Sequence, residues 1–114
     1  MKPKSVAGLW LRVNDFNLSL KFYETLGFDF KRVEDKRATG YINWFWIEIM
    51  EAPSYAQDST SFLYISVDNV DETYRYLKSK GLKTITEPQD YEKQRREFML
   101  EDPDGYKIVI FKKK

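Results

Sequence analysis

The stretch "VNDFNLSLKFYETLG" (Val13–Gly27) returns as "VDNVDETYRYLKSKG" (Val67–Gly81), 54 positions later (13 to 67), in a chain of 114 residues. Two half-length copies of one structural unit follow from that offset. Before each copy the apolar residues alternate, as Leu9, Leu11, Val13 and as Leu63, Ile65, Val67, which is the period of a half-buried strand. Each strand runs into Asn and Asp, whose short side chains accept hydrogen bonds from the unpaired amides of a helix start. Helices are therefore expected to begin near Asp15 and near Asp68 or Asn69. Phe16, Leu20, Tyr23 and Leu26 fall at helical intervals, as do Val70, Tyr74 and Leu77. Gly27 and Gly81 suit the left-handed residue that closes a helix.

Working outward, three strands follow the first helix, at Phe28–Val33, Arg37–Ile42 and Trp44–Met50, with Asn43 as the tight link between the last two. The second copy supplies Leu82–Ile85, Glu97–Glu101 and Tyr106–Phe111. Asp102-Pro103-Asp104-Gly105 reads as the turn of a closing hairpin. The pattern is βαβββ, twice, and the fold class α+β. Residues 1–114 are read as a single domain, with module one at about 5–52 and module two at about 60–112. Ala52–Ser61 reads as the linker, Glu87–Lys93 as an exposed polar loop, and Gly40 as a bulge or a close backbone approach to a ligand.

With 42% apolar and 17% aromatic residues, the chain can build a real core. The absence of Cys excludes disulfides and thiolate metal sites. No apolar run approaches the roughly 20 residues that span a bilayer. The N-terminal residues lack the apolar core of a secretory signal, so a cytoplasmic protein with no membrane partner is expected. A net charge of +1 gives no electrostatic case for nucleic acid; the cluster Lys93, Arg95, Arg96 and the run Lys112–Lys114 read as solvated surface.

Three stretches, "LRVNDFNLSLKFYETLGF" (Leu11–Phe28), "LYISVDNVDETYRYLKSKGL" (Leu63–Leu82) and "FMLEDPDGYKIVIF" (Phe98–Phe111), together resemble the vicinal oxygen chelate superfamily of glyoxalase I, bleomycin-resistance proteins and extradiol dioxygenases. The resemblance covers nearly the whole chain. It implies two βαβββ modules whose sheets curl around a cleft, often in a homodimer. Enzyme members hold a divalent metal with one ligand, commonly His or Glu, from each of four strands. Carried over position by position, those places hold Gly8, Glu48, Phe62 and Val109. Only Glu48 can donate, and the chain has no His, so no metal and no other cofactor is expected. A shifted carboxylate site using Glu48 with Glu97 or Glu101 is the remaining metal-based alternative.

Period two divides each strand into a core face and a second face. Leu9, Leu11, Val13, Phe45, Ile47 and Ile49, with Leu63, Ile65, Val67, Phe98, Leu100, Ile108 and Ile110, form the core face. The second face carries Gly8, Trp10, Arg12, Trp44, Trp46, Glu48 and Met50 in the first copy. In the second copy it carries Phe62, Tyr64, Ser66, Met99, Val109 and Phe111. An aromatic surface with few polar groups has the composition of a ligand cleft. The expected ligand-binding residues are Trp10, Arg12, Trp46, Glu48, Phe62, Tyr64, Met99, Val109 and Phe111. Arg12 and Glu48 either pair with each other or meet charges on the ligand.

The metal-poor pattern is most like bleomycin-resistance proteins, which sequester a drug at a dimer interface. The expected function is metal-independent binding of a small molecule, planar or cationic and aromatic, by a homodimer, with antibiotic resistance as its context. One alternative is a metal-independent lyase or isomerase with Glu48 as the catalytic general base, since an apolar pocket raises a carboxylate's pKa toward the useful range. Another is an interaction domain whose aromatic face meets a protein.

Overall fold

The computed structural model describes residues 1–52 and 62–114, so all of the expected linker after Ala52 lies outside the described residues. The chain divides into two compact units, Met1–Ala56 and Gln57–Lys114. The first contains β1 (Gly8–Val13), α1 (Phe16–Leu26), β2 (Asp29–Glu34), β3 (Arg37–Ile42) and β4 (Phe45–Glu51). Its sheet has the order β1-β4-β3-β2, with β1 parallel to β4 and the other pairs antiparallel. The second contains β5 (Phe62–Ser66), α2 (Val70–Ser79), β6 (Lys83–Thr84), β7 (Gln89–Tyr91), β8 (Arg95–Glu101) and β9 (Lys107–Lys113). Here the order is β5-β9-β8-β6, with β5 parallel to β9 and β7 also paired to β8. The first and last strands of each unit are thus neighbours in both copies.

Both helices start and stop by the same chemistry, 54 residues apart (Asp15 and Asn69). Asp15 accepts from the Leu18 amide at 3.1 Å and Asn69 from the Glu72 amide at 2.9 Å, each side chain satisfying an orphan donor at a value of about 1 kcal/mol. At the other end, Gly27 and Gly81 take φ values of 119° and 84°. That turn lets Gly27 and Phe28 donate to Glu24 and Tyr23, and Gly81 and Leu82 donate to Lys78 and Leu77. These are matching Schellman closures. The Phe28 ring completes the first by meeting Tyr23 edge-on at 5.9 Å.

Each helix covers one face of its own sheet. Leu11, Val13, Ile47 and Ile49 are buried under α1, together with Phe16, Phe22, Tyr23 and Ser19 of the helix. Phe98, Leu100, Ile108 and Ile110 are buried with Val70 and Leu77 of α2, and Tyr74 meets Phe98 edge-on at 5.2 Å. At roughly 1.5–3 kcal/mol per fully buried side chain, these residues are the main source of stability. Two long-range polar ties fix the helix starts. Glu51 at the end of β4 accepts from the Phe16 amide at 3.0 Å, and Arg96 on β8 holds both oxygens of Asp71 at 2.8 and 2.9 Å.

Several expectations change. The stretch Glu87–Lys93, expected to be loop, contains β7, so the second unit has one more strand than the first. Lys83 and Thr84 pair with Glu101 and Leu100, and Gln89 to Tyr91 pair with Glu97 to Arg95. Ile85 to Pro88 therefore bulge out opposite Phe98 and Met99 and split a single edge strand. Pro88 has no amide to give, and the Thr86 hydroxyl accepts from the Met99 amide at 2.9 Å in place of a ladder bond. Trp44 belongs to the Asn43-Trp44 turn rather than to a strand face, with Asn43 at φ 54°. Leu9 is more exposed than its position in the alternation implied. The bulge near Gly40 lies across the ladder, between Phe30 and Arg32, and the contact at Gly40 is with the Phe30 ring, 2.8 Å from where a Cβ would stand. Arg95 and Arg96, expected to be solvated, are engaged in ion pairs, as is Lys114 with Asp90 at 2.7 Å.

Glu101 accepts from Lys107 at 2.9 Å and pairs with Lys83 at 3.1 Å. Lys107, chiefly by its hydrogen bond, and then Lys83 hold the Glu101 carboxyl below its ordinary value of 4.5. A depressed carboxylate stabilises the fold fully above its unfolded pKa and loses that contribution as pH falls through the lower folded value. Thermal unfolding should show Glu101→Gln less stable than wild type at neutral pH, with the difference shrinking as pH is lowered through about 4.5 and below.

Candidate functional site

The face of the first sheet opposite α1 is an ordered set of cross-strand rows. Trp46 sits between Gly8 and Tyr41, Glu48 between Trp10 and Thr39, and Met50 between Arg12 and Arg37. Trp10 is 44% exposed, whereas Trp46 is half-buried. The difference follows from Gly8. A side chain begun at that position would overlap the Trp46 indole, so the missing Cβ provides the floor on which the ring lies.

The charges on this face are already arranged. Arg37 donates from Nε to Glu48 at 2.8 Å, and that hydrogen bond raises the Arg37 guanidinium above its ordinary value. The Arg12 guanidinium lies 4.7 Å over the Trp10 ring. Glu48 and Arg12, expected either to pair or to meet a ligand, thus have Arg37 and Trp10 as neighbours of the matching kind. Arg37 and Tyr41 lie on this face and are absent from the residues expected in sequence, because Ala38, Thr39 and Gly40 are weak strand formers that leave the faces of β3 unassigned. The usable signal was the alternation of small Ala38 and Gly40, both buried, with larger Arg37, Thr39 and Tyr41.

On the second sheet, Phe62 and Tyr64 are each half exposed, at 50%. Tyr64 stands beside Val109, which stands beside Met99. Val109, expected to line the site, is 1% exposed and contributes no accessible surface. Its cross-strand neighbours are Tyr64 and Met99, and Tyr64 meets Phe111 edge-on at 5.7 Å. Arg95 lies 5.5 Å over Tyr64 and 4.7 Å over Tyr91, and its Nε donates to Glu97. That hydrogen bond to Glu97 raises the Arg95 guanidinium above its ordinary value. Beside it a hollow of about 480 Å³ is lined by Tyr64, Gln94, Arg95, Phe111, Lys113 and Lys114. Arg95, Gln94 and the two lysines were not anticipated as site residues. In sequence Arg95 and Lys112–Lys114 read as solvated surface, and Gln94 falls outside every expected strand and so has no assigned face.

Comparison with known proteins agrees with this architecture. Residues 4–110 match the model of the Glyoxalase/Bleomycin resistance protein/Dioxygenase superfamily. The chain belongs to that superfamily. A hypothetical protein from S. aureus is similar in structure, with a TM-score of 0.80, 20% identity, and 97% of this chain and 95% of that chain covered. A glyoxalase family protein from Bacillus cereus has a TM-score of 0.80 at 17% identity, covering 99% and 96%. A virulence protein from Salmonella typhimurium has a TM-score of 0.80 at 18% identity, covering 98% of each chain. At these identities the likeness is one of fold. No curated protein sequence matches the chain significantly. No helix among the described residues is long and apolar enough to cross a membrane.

The superfamily's metal does not fit the residues present. Gly8 has no donor and its space is taken by Trp46, Phe62 is apolar, and Val109 is buried and apolar. Glu48 is engaged by Arg37. The shifted carboxylate alternative fares no better, since Glu97 is paired with Arg95, and Glu101 with Lys107 and Lys83. Among the described residues no three or more His, Cys, Asp or Glu side chains gather to hold an ion.

Replacing Gly8 by Ala should displace the Trp46 ring. Urea unfolding is expected to show a loss of about 1–3 kcal/mol, as for other overpacked positions, with a changed tryptophan emission maximum in the native state. Gly8→His should lose stability likewise without gaining Ni²⁺ or Zn²⁺ affinity.

Proposed function

We propose that the chain is a metal-independent small-molecule-binding protein of its superfamily, acting by sequestration of a planar aromatic compound. The observation that carries this reading is the Trp46 ring lying over Gly8, where metal-binding relatives would place a ligand. The same position that loses a donor gains an aromatic platform, with Tyr41 beside it across the ladder and Trp10 and Glu48 in the next row. Aromatic walls with a few oriented polar groups suit a flat organic molecule. Trp10 is already a partner for the Arg12 cation, so a cationic ligand at this ring replaces an interaction of the same type.

Glu48 would serve such a ligand as an orienting group that exchanges Arg37 for the ligand's positive charge. An enzyme with Glu48 as general base requires that Arg37 first leave the carboxylate. A second copy of the chain is the proposed partner in solution, because Trp10, Trp44, Phe62 and Tyr64 are more apolar surface than a small monomer ordinarily leaves open. Drug resistance is the context this reading suggests.

The test is tryptophan quenching and thermal shift against planar aromatic compounds, including bleomycin-class cations, with and without EDTA. Saturable quenching that ignores EDTA and weakens at least about tenfold in Trp46→Ala is expected, as for loss of a binding hot spot. Binding that needs an added metal, or that is indifferent to Trp46→Ala, would overturn the reading.

A further inference from the structure

The hollow on the second unit differs in charge from the face around Trp46. Among the described residues no carboxylate side chain lines it, whereas Arg95, Lys113 and Lys114 do. Arg95 spends Nε on Glu97, and among the described residues its two terminal nitrogens make no hydrogen bond. Lys114 is tied to Asp90 at 2.7 Å, while Lys113 enters no ion pair among the described residues. The floor is the edge-to-face pair of Tyr64 and Phe111. The Arg95 guanidinium also lies 5.5 Å over Tyr64 and 4.7 Å over Tyr91, cation–π contacts that limit its freedom.

From this arrangement we infer that the hollow takes a small planar aromatic anion. Its ring lies against Tyr64 and Phe111, and its acidic group is received by the terminal nitrogens of Arg95 and by Lys113. The inference deepens the reading of the chain as a small-molecule binder and rests on it. Three features select the ligand class. The volume of about 480 Å³ is in the range of small-molecule sites. A guanidinium fork bonds a carboxylate with two parallel charge-assisted hydrogen bonds, which a neutral or cationic group cannot accept. Arg95 and Lys114 each have a carboxylate partner, and the further charge of Lys113 penalises a cation of the same shape, so the site discriminates by repulsion as well as by attraction.

The experiment is a titration of the full chain, followed by backbone amide NMR and calorimetry, with 2-naphthoate, its neutral amide, and the matched cation 2-naphthylmethylamine. Saturable binding of naphthoate is expected, with shifts centred on Tyr64, Arg95, Phe111 and Lys113 and with affinity that falls as salt rises. The amide and the cation should bind at least about tenfold more weakly, and Arg95→Gln and Lys113→Gln should each weaken naphthoate by a similar factor. Lys113 is exposed, so its variant keeps the test open if Arg95→Gln perturbs the sheet. Lys31→Gln, which removes an exposed positive charge from the other unit, should leave naphthoate affinity unchanged. Equal binding of anion and cation at this hollow, or naphthoate affinity indifferent to both variants, overturns the inference. If naphthoate fails here while planar compounds still quench Trp46, the anion site alone is wrong. If no planar compound binds anywhere, the small-molecule reading fails with it.

Discussion

A single helix can cover only one face of its own four- or five-stranded sheet, and the other features of each unit answer to that constraint. The helix accounts for Leu11, Val13, Ile47 and Ile49 in one unit and for Phe98, Leu100, Ile108 and Ile110 in the other. Strand side chains alternate, so an equal number of residues must point the other way. Had those been Lys, Glu and Thr throughout, the second face would have been ordinary solvated sheet. Instead Trp10, Trp46, Tyr41, Phe62, Tyr64 and Phe111 occupy it, and apolar surface of this extent gains free energy from any cover it finds.

Charge on the open faces is organised around the rings. Glu48 has Arg37, Glu97 has Arg95, and Glu101 has Lys107 and Lys83. No buried side-chain nitrogen or oxygen among the described residues lacks a partner. Metal ligation and general-base catalysis both need a donor that the fold holds ready, and the acids on these faces are committed elsewhere. Binding asks less, since ring stacking and exchange of one ion partner for another suffice. The pairs are partly exposed and individually contribute little to stability, on the order of 0–1 kcal/mol. Their larger consequence is to set which charges a ligand encounters.

Much of this was legible in the sequence because it is local. The caps at Asp15 and Asn69, the glycine closures and the alternation along β1, β4, β8 and β9 depend on neighbours within a few residues. The repeat doubled the evidence for each. What escaped depends on pairing across strands. That Glu48 would meet Arg37 requires the register of β3 against β4, and no spacing along the chain encodes it. Val109 is 1% exposed on the face that the alternation leaves open, and its neighbour Tyr64 on the parallel strand is 45 positions away (64 to 109). β7 carries no hydrophobic period; it is held by its ladder to β8, by the Asp90–Arg96 ion pair and by the cation–π contact of Arg95 with Tyr91.

The central claim is that an aromatic platform has replaced metal ligation in a superfamily where metal chemistry is common. Its most direct test is metal content of the purified protein by mass spectrometry, joined to calorimetric titration of the apo-protein with Ni²⁺, Zn²⁺ and Mn²⁺. The account predicts no stoichiometric metal as isolated and no saturable heat for any of the three ions. One tightly held ion per chain, lost on substitution of Glu48, would contradict it.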